Sequence, residues 1–281
     1  MIRIVTDSTS DLTVSMIEQY GIEVVPLNVI FEGTAYADGV ELSKEQFYER
    51  MAASKTLPTT SQPSPALMRE RFQKVLDAGN DVYYVGLSSS LSGTMQSAKI
   101  ARDLVSDPER VTIFDSLNVA IGQGMLAMEA AKMANDGKTP AEITAVLTEL
   151  RNREKLVFSV AHLDNLRKSG RINNLSFLFG SLLSIKPIMM LDIKGVVQVY
   201  EKARGKKNAL LALMRHLEEF PPDPDYTLYV VHAHVPEQAQ ELEAAVREKT
   251  GMTNTQIIYL SGVIGAHVGE GTTGMFYFAK K

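Results

Sequence analysis

Short apolar runs alternate with stretches of helical period along the first half of the chain. Ile2 to Val5 read as a strand that ends in "TDSTSDL", and a helical segment runs on to Tyr20. "EVVPLNVIFEG" resumes as a strand. Ser43 then stands as the N-cap of a helix over "SKEQFYERMAAS", with Glu45 and Gln46 in its first turn. In "TTSQPSPALMRERFQKVLDAG" Ser64 caps and Pro65 takes the first helical position, while Met68, Phe72, Val75 and Leu76 recur at helical spacing. "DVYYVGLS" and "RVTIFDS" are short and largely apolar, as strands buried in a parallel sheet are. Each leads into a helix, "TMQSAKIARDLV" and "NVAIGQGMLAMEAAKMAND"; the second is small and apolar on nearly every side, hence mostly buried. The alternation predicts a parallel sheet with helices on both faces.

After about residue 154 the pattern changes. "PIMMLDIKGVVQVYEKARG" reads as two short strands joined by Lys194 and Gly195. Strand "YTLYVVHAHV", a helix opened by Pro236, strand "TQIIYLSG" and a final strand "TGMFYFAKK" complete a second α/β unit. The expected class is therefore α/β with two domains, 1–154 and 155–281, a size that 281 residues readily supply. No repeat or linker separates them, so they should be joined tightly and share a cleft.

Hydroxyls concentrate where strands give way to helices. "LSSSLSGTMQSA" places Ser88, Ser89, Ser90, Ser92 and Thr94 in a turn that exposes unpaired N–H groups and the positive end of a helix dipole. One N-cap needs one hydroxyl, so this cluster points to an anion, with Gly93 letting the backbone come close. "TTSQPS", carrying Thr60 and Ser61, is a second such turn and "DSTSD" a third, although Asp7 and Asp11 suit simple turn and cap roles. All three are expected on one edge of the parallel sheet, where open α/β sheets bind ligands.

Other signals are weaker. "HVGEGTTG" holds a literal G-x-G-x-x-G, but it lies too near the C-terminus for a dinucleotide-binding unit; its glycines are expected to form a tight turn carrying His267 to the cleft. His232 and His234 alternate on a strand and are read as packing residues. Lys168, Arg171, Lys202, Arg204, Lys206 and Lys207 cluster beside glycines, either as solvated charge or as attraction for phosphate or an acidic partner. The chain has no cysteine, which removes disulfides, thiol catalysis and thiolate metal sites. A net charge of -4 argues against a protein that coats nucleic acid. "MIRIVTDSTSDL" lacks the pattern of a secretory signal, and "LSFLFGSLLSIKPIMML" is broken by Lys186 and Pro187, short of the roughly 20 apolar residues of a membrane span. A cytoplasmic protein is expected.

Taken together and in order, "TDSTSDL", "TTSQPS", "SSSLSGTMQSA", "LRKSGRI", "SLLSIKPIMML" and "HVGEGTTG" resemble the DegV family, which is similar to the fatty-acid-binding subunit of bacterial fatty acid kinase. The chain departs from the family pattern at Ser169 and Glu270, where members often carry glycine and proline. The resemblance implies a parallel N-terminal sheet, a second domain with a mixed sheet, and a long-chain fatty acid in a tunnel between them. Carried over by position, Thr60, Ser61, Ser92, Gly93, Thr94 and His267 hold the carboxylate, and Arg171 and Arg204 face a kinase or its phosphates. "LSFLFGSLL" and the methionines are candidates to line the tunnel. No cofactor, metal or catalytic residue is implied. The partners are the fatty acid and a separate ATP-dependent kinase subunit, with no nucleic acid, and contact with a membrane surface is left open. The alternatives are a stand-alone ester hydrolase with Ser92 as nucleophile and His267 as base, or a carrier of another amphipathic anion.

Overall fold

The computed structural model describes residues 1–172 and 185–281. The chain runs through β1 (Ile2–Asp7), a 3-10 turn (Ser8–Ser10), α1 (Val14–Tyr20), β2 (Glu23–Val25), β3 (Asn28–Phe31), β4 (Thr34–Ala37), α2 (Lys44–Ala53) and β5 (Thr59–Ser61). Next come α3 (Pro65–Asp77), β6 (Asp81–Gly86), α4 (Thr94–Asp103), β7 (Val111–Asp115), α5 (Ala120–Asn135), α6 (Pro140–Arg153), β8 (Glu154–Ser159) and α7 (Asp164–Ser169). The remainder is β9 (Ile185–Leu191), β10 (Val197–Arg204), α8 (Gly205–Glu219), β11 (Leu228–His232), α9 (Pro236–Thr250), β12 (Thr255–Tyr259), α10 (Gly262–Val268) and β13 (Thr273–Phe278). Helix starts lie where local chemistry puts them: Ser43 and Gln46 close a capping box on α2, and Ser64 caps α3 with Pro65 at its first position.

β2, β1, β6 and β7, in that order, form a parallel sheet. One face buries Val5, Val82 and Tyr84 against Met68 and Phe72 of α3 and Met95 of α4. The other buries Ile4, Tyr83 and Val85 with α5, most of which is buried, as its all-round apolar sequence requires. The second sheet has the order β10-β9-β8-β13-β11-β12 and is mixed, with β11 and β12 parallel and the other pairs antiparallel. Val157, Met275 and Tyr277 on one face pack with Leu213 and Leu242 of α8 and α9. Leu156, Phe158 and Phe276 on the opposite face join the core that contains α5 and the first sheet, so one apolar interior spans both sheets.

Three expectations are corrected. "EVVPLNVIFEG" is two strands, because Pro26, which has no N–H to give to a ladder, separates β2 of the parallel sheet from β3. β3 turns away into a small antiparallel sheet, β4-β3-β5. Accordingly Thr59 to Ser61 are not a turn on the edge of the parallel sheet; they form β5, where Thr60 pairs with Val29. The glycines near the C-terminus do not carry His267 on a turn: His267 rides on α10, and Gly269 and Gly271 follow it at φ 77 and 83. Of the stretch proposed to line a tunnel, Leu175 to Leu183 lie outside the described residues. No helix among the described residues is long and apolar enough to cross a membrane.

The contact between β13 and β8 leaves no room at Gly274. A Cβ there would crowd that of Phe158 and lie 2.7 Å from the Val157 carbonyl oxygen, part of the partner strand's backbone. Gly274→Val is expected to destabilise the protein by about 2–3 kcal/mol, as overpacking does. Urea unfolding checks it; an unshifted midpoint would show that the strands separate freely.

Candidate functional site

Between the two sheets lies a cavity of about 810 Å³, its open mouth included. Its walls are overwhelmingly apolar: Leu156, Phe158 and Phe276 come from the second sheet, Leu87 follows β6, and Val263 and Ile264 come from α10. Polar side chains reach it at few points, among them Thr60, Ser92, Arg171 and His267.

Thr60 and His267, from β5 and α10, meet here with Oγ1 and Nε2 2.8 Å apart. Burial, reinforced by the Arg171 charge, pushes the imidazole down to about 4, so it is neutral at ordinary pH. A neutral imidazole and a hydroxyl carry one proton each, and the bond between them uses one. The other is free for an acceptor, on Nδ1 if Thr60 donates to Nε2, or on the Thr60 hydroxyl if Nε2 donates. Nδ1 is indeed buried without a hydrogen-bond partner among the described residues. Ser92 supplies a further hydroxyl, sharing a 2.9 Å hydrogen bond with Thr94 and accepting from the Thr94 N–H at 3.2 Å. Ser92 and His267 are each hydrogen-bonded elsewhere, so the nucleophile-to-base contact that a serine hydrolase needs is not among the bonds formed.

The structure divides the hydroxyl cluster that the sequence offers as a unit. Ser88 Oγ donates to the Gly195 carbonyl at 2.9 Å, and Ser90 Oγ to that of Lys194 at 2.7 Å. These serines fasten the turn to the β9-β10 hairpin. Ser8 accepts from the Leu27 N–H, while Thr9, though on the cavity wall, has its hydroxyl engaged by Asp7 and Gln123. Asp7 is buried and also accepts from Tyr84 Oη at 2.7 Å and Gln123 Nε2 at 3.0 Å; "DSTSD" thus takes the turn and cap roles. Thr94 is buried behind Ser92. Ser61 accepts from Asn28 Nδ2 at 3.3 Å. Gly93 is exposed, and a Cβ there would run into the amide of Gln62, a neighbour the sequence does not suggest.

The two arginines part company. Arg171 stands at the mouth, its Nε donating to the Leu91 carbonyl at 3.4 Å. Arg204 is exposed at the end of β10, before α8, and is not part of the cavity wall.

α10 is held at its first turn by two buried carboxylates. The Ser261 N–H donates to Asp11 Oδ1 at 2.7 Å and the Gly262 N–H to Asp38 Oδ1 at 3.1 Å. Lys44 Nζ lies 3.7 Å from Asp11. Burial pushes Asp11 up to about 6; burial and then the Asp11 charge push Asp38 up to about 7. Gly262 and Gly265 let the helix lie flat on Phe47 and Tyr48, where a Cβ at Gly265 would be 2.6 Å from the Tyr48 hydroxyl oxygen. Asp38 has no signature in sequence, since an aspartate beside Gly39 reads as an ordinary turn.

Comparison with known proteins agrees with this architecture. The family model that matches, described as an uncharacterised protein of the DegV family, spans residues 1–280. A DegV domain-containing protein of Caldanaerobacter subterraneus subsp. tengcongensis is 35% identical over 280 residues, covering 99% of each chain. Among solved structures, one of fatty acid binding by a DegV family protein from Thermus thermophilus superposes with a TM-score of 0.89 at 29% identity, covering 99% of each chain. DegV from Bacillus subtilis, described as a fatty acid binding protein, gives a TM-score of 0.87 at 32% identity, again covering 99% of each chain.

Proposed function

This chain belongs to the DegV family, and from that premise we propose that it is a cytoplasmic carrier of a long-chain fatty acid. The single observation that carries this reading is a deep apolar cavity with a cluster of neutral proton donors at one side. Burying some fourteen methylenes at about 0.8 kcal/mol each supplies roughly 11 kcal/mol before association costs. The head group adds position more than affinity, because a carboxylate taken from water must recover its hydrogen bonds. Ser92 and the Thr60–His267 pair would provide them, with Thr94, Gly93 and Ser61 shaping the turn and strand behind.

In this reading the carboxylate stays at the mouth, where a separate ATP-dependent fatty acid kinase takes it to acyl phosphate. Arg171 offsets the charge that builds on the transferred phosphoryl group, and Arg204 belongs to a more distant part of the contact surface. The carrier performs no bond making of its own.

Native mass spectrometry of the purified chain, followed by extraction of its lipid, tests the carrier role. One carboxylic lipid per chain is expected; delipidated protein that takes up no fatty acid overturns it. Ser92→Ala is expected to lower kinase-coupled acyl phosphate formation by about tenfold, the equivalent of one hydrogen bond to a charged group. Unchanged coupling would remove Ser92 from the head-group site, and steady ester hydrolysis abolished by the same substitution would favour the hydrolase instead.

A further inference from the structure

Glu154 is a buried carboxyl group that the head-group site does not use. Glu154 opens β8, and residues two apart on a strand share a face, so Glu154 lies in line with Leu156 and Phe158, both on the cavity wall. The ladder gives the order inward from the mouth: Ser159 opposite Thr273, then Leu156 opposite Phe276, then Glu154 opposite Phe278. At about 3.4 Å per residue, Glu154 sits roughly 7 Å deeper than Leu156 along the strand. The first turn of α5 closes the same end. A Cβ on Gly122 would be 2.7 Å from Phe276 Cδ1 and 2.5 Å from Asn118 Oδ1, and would also collide with Glu154 Oε1. The carboxyl group therefore lies beside the cavity-lining ring of Phe276, against a helix position that has no side chain.

Glu154 is buried, and among the described residues neither of its carboxyl oxygens makes a well-formed hydrogen bond, the Asn118 side chain being the polar group beside it. Burial raises its proton affinity far above the usual carboxylate range, so it is an uncharged acid. Such a group is at once a donor and an acceptor, and meeting these functions incompletely in a dry interior is unfavourable. The backbone beside it is strained too: Leu117 and Ala120, which flank Asn118 and Val119, adopt φ 49 and 53, and Ala120 is part of the cavity wall. Strain of this kind collects where a ligand is met.

We propose that Glu154 and Asn118 form a polar stop at the inner end of the cavity, selecting acyl chains that carry a hydroxyl toward the tail over plain hydrocarbon chains. The proposal rests on the carrier reading and names its ligand class. A hydroxyl gives and receives one hydrogen bond each, which matches an uncharged carboxyl group; a methyl terminus satisfies neither function.

The test is displacement of a fluorescent fatty acid from delipidated protein by octadecanoic acid and by isomers bearing a single hydroxyl at successive positions along the outer half of the chain. At least one isomer is expected to bind about tenfold more tightly than octadecanoic acid, one recovered hydrogen bond converted to affinity. Glu154→Gln, which keeps a donor and an acceptor, should retain the preference. Glu154→Leu should lose it and bind octadecanoic acid more tightly. Equal affinity for every isomer, or a preference that survives in Glu154→Leu, overturns the polar stop while leaving the carrier intact. Failure of octadecanoic acid itself to displace the probe overturns both.

Discussion

His267→Ala is expected to weaken fatty acid binding by about ten- to a hundredfold. The imidazole is neutral, and the Thr60–His267 pair holds one proton that no group among the described residues receives. A carboxylate at the mouth would accept it, and a hydrogen bond to a charged group is worth roughly 1.5–3 kcal/mol, or about one to two powers of ten in Kd. Alanine removes that donor and strands the Thr60 hydroxyl. Calorimetric titration of delipidated protein checks it. Arg204→Ala is the matched control: its side chain is exposed and outside the cavity wall, so Kd should be unchanged. Equal affinity of His267→Ala and the parent chain would move the head group elsewhere.

The second large effect concerns pH. Asp38 has an ordinary value of 3.8 and is pushed up to about 7 in the folded chain. Between those values the folded chain holds a proton the unfolded chain has lost, so this contribution to stability is full below about pH 4 and is lost as pH rises through 7. A displacement of that size corresponds to roughly 4 kcal/mol at most. Asp38→Asn keeps an acceptor for the Gly262 N–H and carries no charge. Its stability relative to the parent should therefore climb by up to roughly 4 kcal/mol from about pH 4 to about pH 8. His216 and His267, both held near 4, act in the opposite sense. Their contribution is present above the usual imidazole range and lost as pH falls. Both chains share it, so it cancels in the difference. Urea unfolding of the two chains across this range reads the effect, and a difference independent of pH would mean that Asp38 is ionised in the folded protein throughout.

Much of the architecture was legible because it is local. Ser43 with Gln46 and Ser64 with Pro65 mark helix starts by chemistry confined to a few residues. The apolar runs at Asp81–Gly86 and Val111–Asp115 are the central and edge strands of the parallel sheet, and the apolar helix after them is buried between layers. α10 was hidden for a physical reason. Two glycines in seven residues make a poor helix, and this one forms because those glycines lie on Phe47 and Tyr48 while Asp11 and Asp38 hold its first N–H groups. The split at Pro26 was visible, but the sheet that β3 would join was not.

The sequence by itself determined the α/β class, the principal helix starts and the residue types that crowd the turn after β6, since propensity, capping and hydrophobic period act over a few residues. Only the tertiary structure decided which of those hydroxyls are spent within the fold. Ser88 and Ser90 are committed to the hairpin around Lys194 and Gly195, whereas Thr60 meets a histidine 207 residues away. It also decided that Glu154, an unremarked charge at the end of α6, is buried on the strand face that carries Leu156 and Phe158, where burial raises its proton affinity. Solvation and pairing of a polar group depend on what the rest of the chain brings to its side, and that is settled by packing between elements distant in sequence.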